Sequence, residues 1–249
     1  MKFNPKKISF GRHETFPLRY SWLTKGFQAF ISNQNIFSSD EATVELGVGK
    51  NMVKSIRFWL LACKMVKYSN SKYEPTELGS LIFDADGGVD PYLEDEVTLW
   101  LIHWLISTNP KNATAWFWFF NHFHKPEFMA DEFSAALIEF ANQNNIKSSL
   151  TTLKGDTGIL LRMYSRSTGN TRTSLEEALD SPLSLLGLVT QAPGGRNYFS
   201  YPEERLDLPL CVFGFAVLQL LDTLEKKDLP IGDLMYSKTD FPSLGAVFR

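Results

Sequence analysis

At 249 residues and 28.3 kDa, with 44% hydrophobic and 21% charged residues, the chain has ordinary globular usage, which excludes a wholly disordered or fibrous protein. A net charge of −3 excludes an overall basic nucleic-acid coat and leaves only local patches open. No run of about 18 apolar residues exists and MKFNPKKISF lacks an apolar signal core, so the reading is a cytoplasmic protein without a membrane. Aromatic residues reach 14%, more than an average core needs, and predict bulky helical packing.

In chain order, residues 17–32 place Leu18, Trp22, Phe27 and Phe30/Ile31 at helical spacing after an irregular arm. Ser38–Glu41 reads as a Ser-x-x-Glu capping box that starts a short helix over about 39–46, stopped by Gly47. From Lys50 to Val66, Met52, Ile56, Trp59/Leu60 and Cys63 share one face of a longer helix. Val66–Tyr68 and Lys72–Glu74 flank Ser69-Asn70-Ser71, a small hairpin. Helix, helix, turn, helix and hairpin make a winged helix-turn-helix pattern over 1–84.

A central aromatic helical region follows over 85–127. Asp90-Pro91 reads as the N-cap and first position of a helix carrying Trp100 and Trp104, and residues 113–124 form a second. Over 128–249 the scheme returns: helices at 131–143, 148–164 and about 174–188, a hairpin turned at Pro193-Gly194-Gly195, and an apolar helix at 210–225. The fold class is therefore mostly α: two winged helix-turn-helix-like modules around an aromatic-rich helical centre, with small β-hairpin wings. The chain stops at Gly245–Arg249 without a polar fade, which reads as a trimmed C-terminus.

The strongest chemical signal is charge placement. Between Gly47 and Tyr73 stand Lys50, Lys54, Arg57, Lys64, Lys67 and Lys72, with no Asp or Glu. On a helix, Lys50, Lys54, Arg57 and Lys64 fall opposite the apolar stripe as an outward basic ridge that suits phosphates lining a DNA groove, with Asn51 beside them. The alternative is a solvated face on an interaction-type winged helix. Arg162, Arg166 and Arg172 form a second acid-free basic stretch.

Arg12, His13 and Glu14 combine a cation, an imidazole and a carboxylate in the arm, the side-chain types that phosphodiester hydrolysis uses, and are the candidate catalytic set. His103 reads as a core histidine, and His122 and His124 as partners of a helix end. Cys63 and Cys211 read as buried reduced thiols. Gly47-Val48-Gly49-Lys50-Asn51 fails as a phosphate loop, because Val44 and Asn51 stand where Gly and Ser or Thr belong. Asp84, Asp86 and Asp90 to Glu96 start like a calcium loop but lack its closing Glu, and helix capping explains the later half. No metal ligands are assigned.

FGRHETFPLRYSWLTKG (10–26), ELGVGKNMVKSIRFW (45–59), PTELG (75–79), DPYLEDEVTLWLIHW (90–104) and GAVFR (245–249) resemble the SspB-like proteins, a domain family found beside bacterial DNA phosphorothioation genes. The resemblance implies a DNA-nicking component of a phage-defence system. Its implied partners are DNA, a cysteine desulfurase, an ATPase and an ATP pyrophosphatase-type sulfur transferase. The one cofactor expected is a divalent metal ion, Mg²⁺ or Mn²⁺, and no organic cofactor. The chains of that family continue past the GAVFR-like segment. The alternative reading is a non-catalytic winged-helix adaptor or transcriptional regulator that docks DNA.

Overall fold

The computed structural model describes residues 1–165, 181–236 and 240–248 and is mostly helical with two small antiparallel sheets. Helix α1 (Tyr20–Ser32) buries Trp22, Phe27 and Phe30 as the spacing predicts, Leu18 is buried just ahead of it, and Ile31 stays 49% exposed. It crosses α3 (Lys50–Ala62) so closely that a Cβ on Gly26 would lie 2.3 Å from Ile56 Cγ2. Gly26 is thus the point of close helix approach.

The expected capping box at Ser38–Glu41 does not form. Ser38 closes a 3₁₀ turn (Ile36–Ser38), and Ser39 Oγ accepts from the Glu41 N–H at 3.1 Å, so α2 begins later and is short (Ala42–Glu45). Gly47, at φ +63°, ends it as expected. Helix α3 stops four residues before the predicted Val66, because Lys64 turns left-handed at φ +59° and frees Val66 for strand β1 (Val66–Ser69). β1 pairs antiparallel with β2 (Lys72–Pro75), and Asn70 and Ser71 between them both take positive φ, which the right-handed strand twist favours in a two-residue turn. Thr76 caps α4 (Glu77–Phe83), accepting from the Gly79 N–H and donating to Lys64 O.

The next helix does not start at Asp90-Pro91. The Asp90 carboxylate accepts from the Glu94 and Asp95 N–H groups, and Leu93 takes φ +57°; together these close a turn, and α5 (Glu96–Ser107) starts under an Asp95 cap. Helix α6 (Thr114–His122) follows, then β3 (Glu127–Met129), α7 (Ala130–Gln143) and α8 (Leu150–Tyr164), the last capped by Ser149. Of the helix predicted near 174–188, residues 174–180 lie outside the described residues, and Pro182–Leu186 is a single 3₁₀ turn. The expected hairpin is present as β4 (Thr190–Gln191) and β5 (Asn197–Phe199), and β5 also pairs with β3, giving strand order β3-β5-β4. Helices α9 (Leu210–Thr223) and α10 (Ile231–Met235) come last.

Trp100, Trp104, Trp116, Phe117, Phe119 and Phe120 of α5 and α6 are buried at the centre. His103 sits among them with both nitrogens occupied, Nδ1 2.9 Å from Tyr164 Oη and Nε2 2.9 Å from Ala246 O, so it ties α5 to α8 and to the chain end. Burial pushes its imidazole down to about 4, which keeps it neutral. Cys63 is buried as expected, but Cys211 is exposed, because α9 is apolar around its whole circumference and Cys211 falls on its outer side. No helix among the described residues is long and apolar enough to cross a membrane.

Trp59, fully buried on α3, donates its indole N–H to Phe16 O at 3.2 Å and packs edge-on to Trp116. Trp59→Ala is expected to cost about 3–5 kcal/mol in chemical denaturation, the range for truncating large buried aromatics. A loss below about 1 kcal/mol would mean the ring is not part of the core.

Candidate functional site

Helix α3 presents the basic face that its periodicity predicts, with one exception. Lys50, Asn51 and Lys54 are exposed and Arg57 is half-buried, while Val53, Ile56, Trp59 and Leu60 face the core. Lys64 leaves the ridge: past the helix end its chain turns inward, and its Nζ lies 3.4 Å from Thr108 Oγ1 on the far end of α5. Burial pushes that amine down to about 8. The helical projection failed there because it assumed a helix four residues longer than the one that forms. In the hairpin, Lys67 and Lys72 are exposed, and Lys67 pairs with Glu74 across the strands at 3.3 Å.

The arm separates Arg12, His13 and Glu14 rather than gathering them. Arg12 is exposed, Glu14 is half-buried with Oε1 3.9 Å from Lys54 Nζ, and His13 is only 2% exposed. The His13 ring lies between Phe58 and Trp59 of α3 and Trp116 of α6. Its Nδ1 accepts from the Thr15 N–H at 3.1 Å, so its proton sits on Nε2, which donates to Asp156 Oδ1 at 2.9 Å. With both nitrogens taken and no water access, this imidazole has no free lone pair to act as a base in this conformation. The sequence places His13 in the candidate catalytic set with Arg12 and Glu14; the structure shows both of its ring nitrogens hydrogen-bonded within the protein.

Asp156, which the sequence reading passed over, is the other half of that pair. It lies 1% exposed on the core side of α8, between Leu153 and Leu160, and its Oδ1 also accepts from the Gly11 N–H at 2.8 Å. Burial raises its carboxyl above the usual range, and the hydrogen bond from His13 holds that rise back. One signal was available: a lone acid at apolar helical positions demands a partner. Nothing local said which.

The arm therefore spans two helices. On one side Glu14 faces Lys54 of α3; on the other, Arg162 of α8 donates to Thr15 O at 3.3 Å. Arg162 is exposed beside the arm, whereas Arg166 and Arg172 lie outside the described residues. Asp84 and Asp86 are exposed, Asp90 is spent on its turn and Asp95 on its cap. Among the described residues no three His, Cys, Asp or Glu side chains gather to hold a metal ion.

Residues 10–249 match the family described as "Protein of unknown function (DUF4007)". Two solved structures resemble the chain over 97% of its length and 73% of theirs. "Magnesium ion-bound SspB crystal structure" shares 26% identity at a TM-score of 0.81, and "SspB crystal structure" shares 28% at 0.80. Comparison with curated proteins gives no match.

Lys64 yields a test of the ridge boundary. An amine held below its ordinary 10.5 binds fewer protons folded than unfolded, so this group adds stability as pH rises from about 8 to 10.5. Lys64→Met removes that gain: its urea midpoint relative to wild type should fall between about pH 7 and pH 10.5, while the buried Cys63 thiol affects both proteins alike. A pH-independent difference would place the Lys64 amine in solvent.

Proposed function

The chain belongs to the DUF4007 family, and on that footing we propose that it is the DNA-engaging component of an Ssp-type phosphorothioation system, working beside that system's other proteins. The observation that carries this reading is that cations of two helices meet one arm: Lys54 of α3 lies at Glu14 and Arg162 of α8 at Thr15, with Lys50 and Arg57 on the same helix as Lys54 and Arg12 exposed in the arm itself. Phosphate contacts of this kind fix a protein on a duplex without reading its sequence.

Two winged-helix units present these cations. In the first, α1, α2 and α3 lead into the β1–β2 hairpin, with α3 as the groove-facing helix and Lys67 and Lys72 on the wing. In the second, β3, α7 and α8 lead to the β4–β5 pair, with α8 in the equivalent place. Placing the second helix of each unit in or along the groove is how such folds dock.

The enzymatic part of the proposal is nicking of one strand at the arm. Arg12 supplies positive charge to the scissile phosphate and Glu14 the carboxylate that orients water, while His13 sets the geometry from below. A divalent ion, Mg²⁺ or Mn²⁺, belongs to the proposal as an additive to be tested. A second reading, an adaptor that docks DNA for partner enzymes, is favoured by one observation: His13 has no free ring nitrogen.

Supercoiled-plasmid nicking with and without Mg²⁺ or Mn²⁺, beside duplex affinity against salt, separates the two. With about four phosphates neutralised, log K should fall with log salt at a slope of roughly −4, and Lys54→Ala with Arg57→Ala should flatten it by about two. Glu14→Gln should slow nicking by about 10²–10⁴-fold while affinity stays within a few-fold. Salt-independent binding would remove the α3 face from the interface, and binding without nicking in any metal would leave the adaptor.

A further inference from the structure

We infer that Asp156 is a positioning residue for DNA engagement: through Gly11 and His13 it fixes the arm between α3 and α8, so that Arg12 and the cations of both helices meet one duplex as a single preformed surface. The inference deepens the DNA-binding reading and rests on it.

Three observations point the same way. First, a carboxylate in the apolar face of a helix is unfavourable unless it is bonded, and here both donors to Oδ1 come from the arm, 143 and 145 residues away in sequence. An apolar residue would fill the space without that requirement, so the acid holds register rather than adding bulk. Second, the arm is wound tightly: Gly11, Glu14 and Thr15 take φ of +69°, +49° and +66°. Two consecutive residues with a Cβ in the left-handed region persist only where the surroundings over-determine them. Third, Gly11 lies so near α8 that a Cβ there would be 2.6 Å from Thr152 Cγ2. The arm is clamped from below by Asp156, from the α3 side by the Phe58 and Trp59 rings, and at its far end by Arg162.

What the clamp exposes is what would touch phosphate. Arg12 is the exposed residue between two anchored neighbours, Gly11 and His13. Were the arm free, Arg12 would reach a phosphate only after losing its own conformational freedom on binding. A preordered arm has met that cost in folding.

The test compares wild type, Asp156→Ala and Asp156→Asn, each with and without Arg12→Ala, for duplex affinity against salt and for amide exchange at Gly11 and Thr15. The Asn oxygen can still accept from Gly11 and His13, so Asp156→Asn should keep slow arm exchange, the wild-type salt slope and the full cost of Arg12→Ala. Asp156→Ala should release both amides and flatten the slope by about one to two, and adding Arg12→Ala to it should cost nothing further. Gly11→Ala, which pushes the arm off Thr152 without touching the buried acid, should reproduce that loss; it decides the matter if Asp156→Ala does not fold. Fast arm exchange with an unchanged slope and an undiminished Arg12 effect would overturn the inference and leave Asp156 a plain structural residue. A wild type that binds no duplex would overturn it along with the DNA reading, and would be recognised because arm exchange would still depend on Asp156.

Discussion

The buried hydrogen bond from His13 to Asp156 is the contact on which the arrangement of this surface depends. A buried bond to a charged group contributes about 1.5–3 kcal/mol, and either partner left alone would cost at least as much in lost solvation. The bond joins the arm to α8 while the imidazole packs on α3 and α6, so four parts of the chain meet at one ring. Parting the arm from α8 leaves a buried polar atom without water or partner. That penalty makes the arm's position discrete rather than adjustable.

Beneath this junction lies a centre built from rings. Trp59 and Trp116 meet edge to face at 5.3 Å, Phe119 packs on Phe120 and Phe133, and Phe3 from the N-terminus stacks on Phe117. Interiors packed to this degree transmit displacement instead of absorbing it. Two polar side chains inside tie segments together: His103 bonds Tyr164 and Ala246, and Asn121 bonds Ser107 O, Phe117 O and the Ser243 N–H, whereas the buried indole N–H groups of Trp100 and Trp116 have no hydrogen-bond partner among the described residues. Both chain ends are thereby fastened to α5 and α6, which makes the centre a rigid mount for the two helices that flank the arm.

The electrostatics follow from that mount. An acidic protein presents a local basic surface because the cations of α3 and α8 lie on sides turned away from the core, and because the arm brings the two sets together. The hairpin contributes less than its lysines suggest, since Glu74 partly neutralises Lys67. The same packing removes His13 from solvent and engages both of its ring nitrogens. Residue types alone could not show this: an imidazole in an irregular segment looks reactive until its two nitrogens are accounted for.

The periodicity of apolar residues determined most of the helices by itself, and with them the burial of Trp59, Ile56 and Leu60, the core role of His103 and the outward set of Lys50 and Lys54. These are local properties, since a repeat of 3.6 residues decides which side chains share a face whatever lies opposite. Tertiary structure decided the rest, in each case through an atom the local pattern could not supply. One left-handed residue ended α3 early and turned Lys64 inward. The Asp90 carboxylate spent itself on a turn and delayed α5. Cys211 was left in solvent by the side of α9 that nothing in the described chain covers. Above all, Asp156 and His13 stand 143 residues apart, and only tertiary packing, with α8 against α6 and the arm laid over α3, brings an acid with no local partner to an imidazole with no local fold.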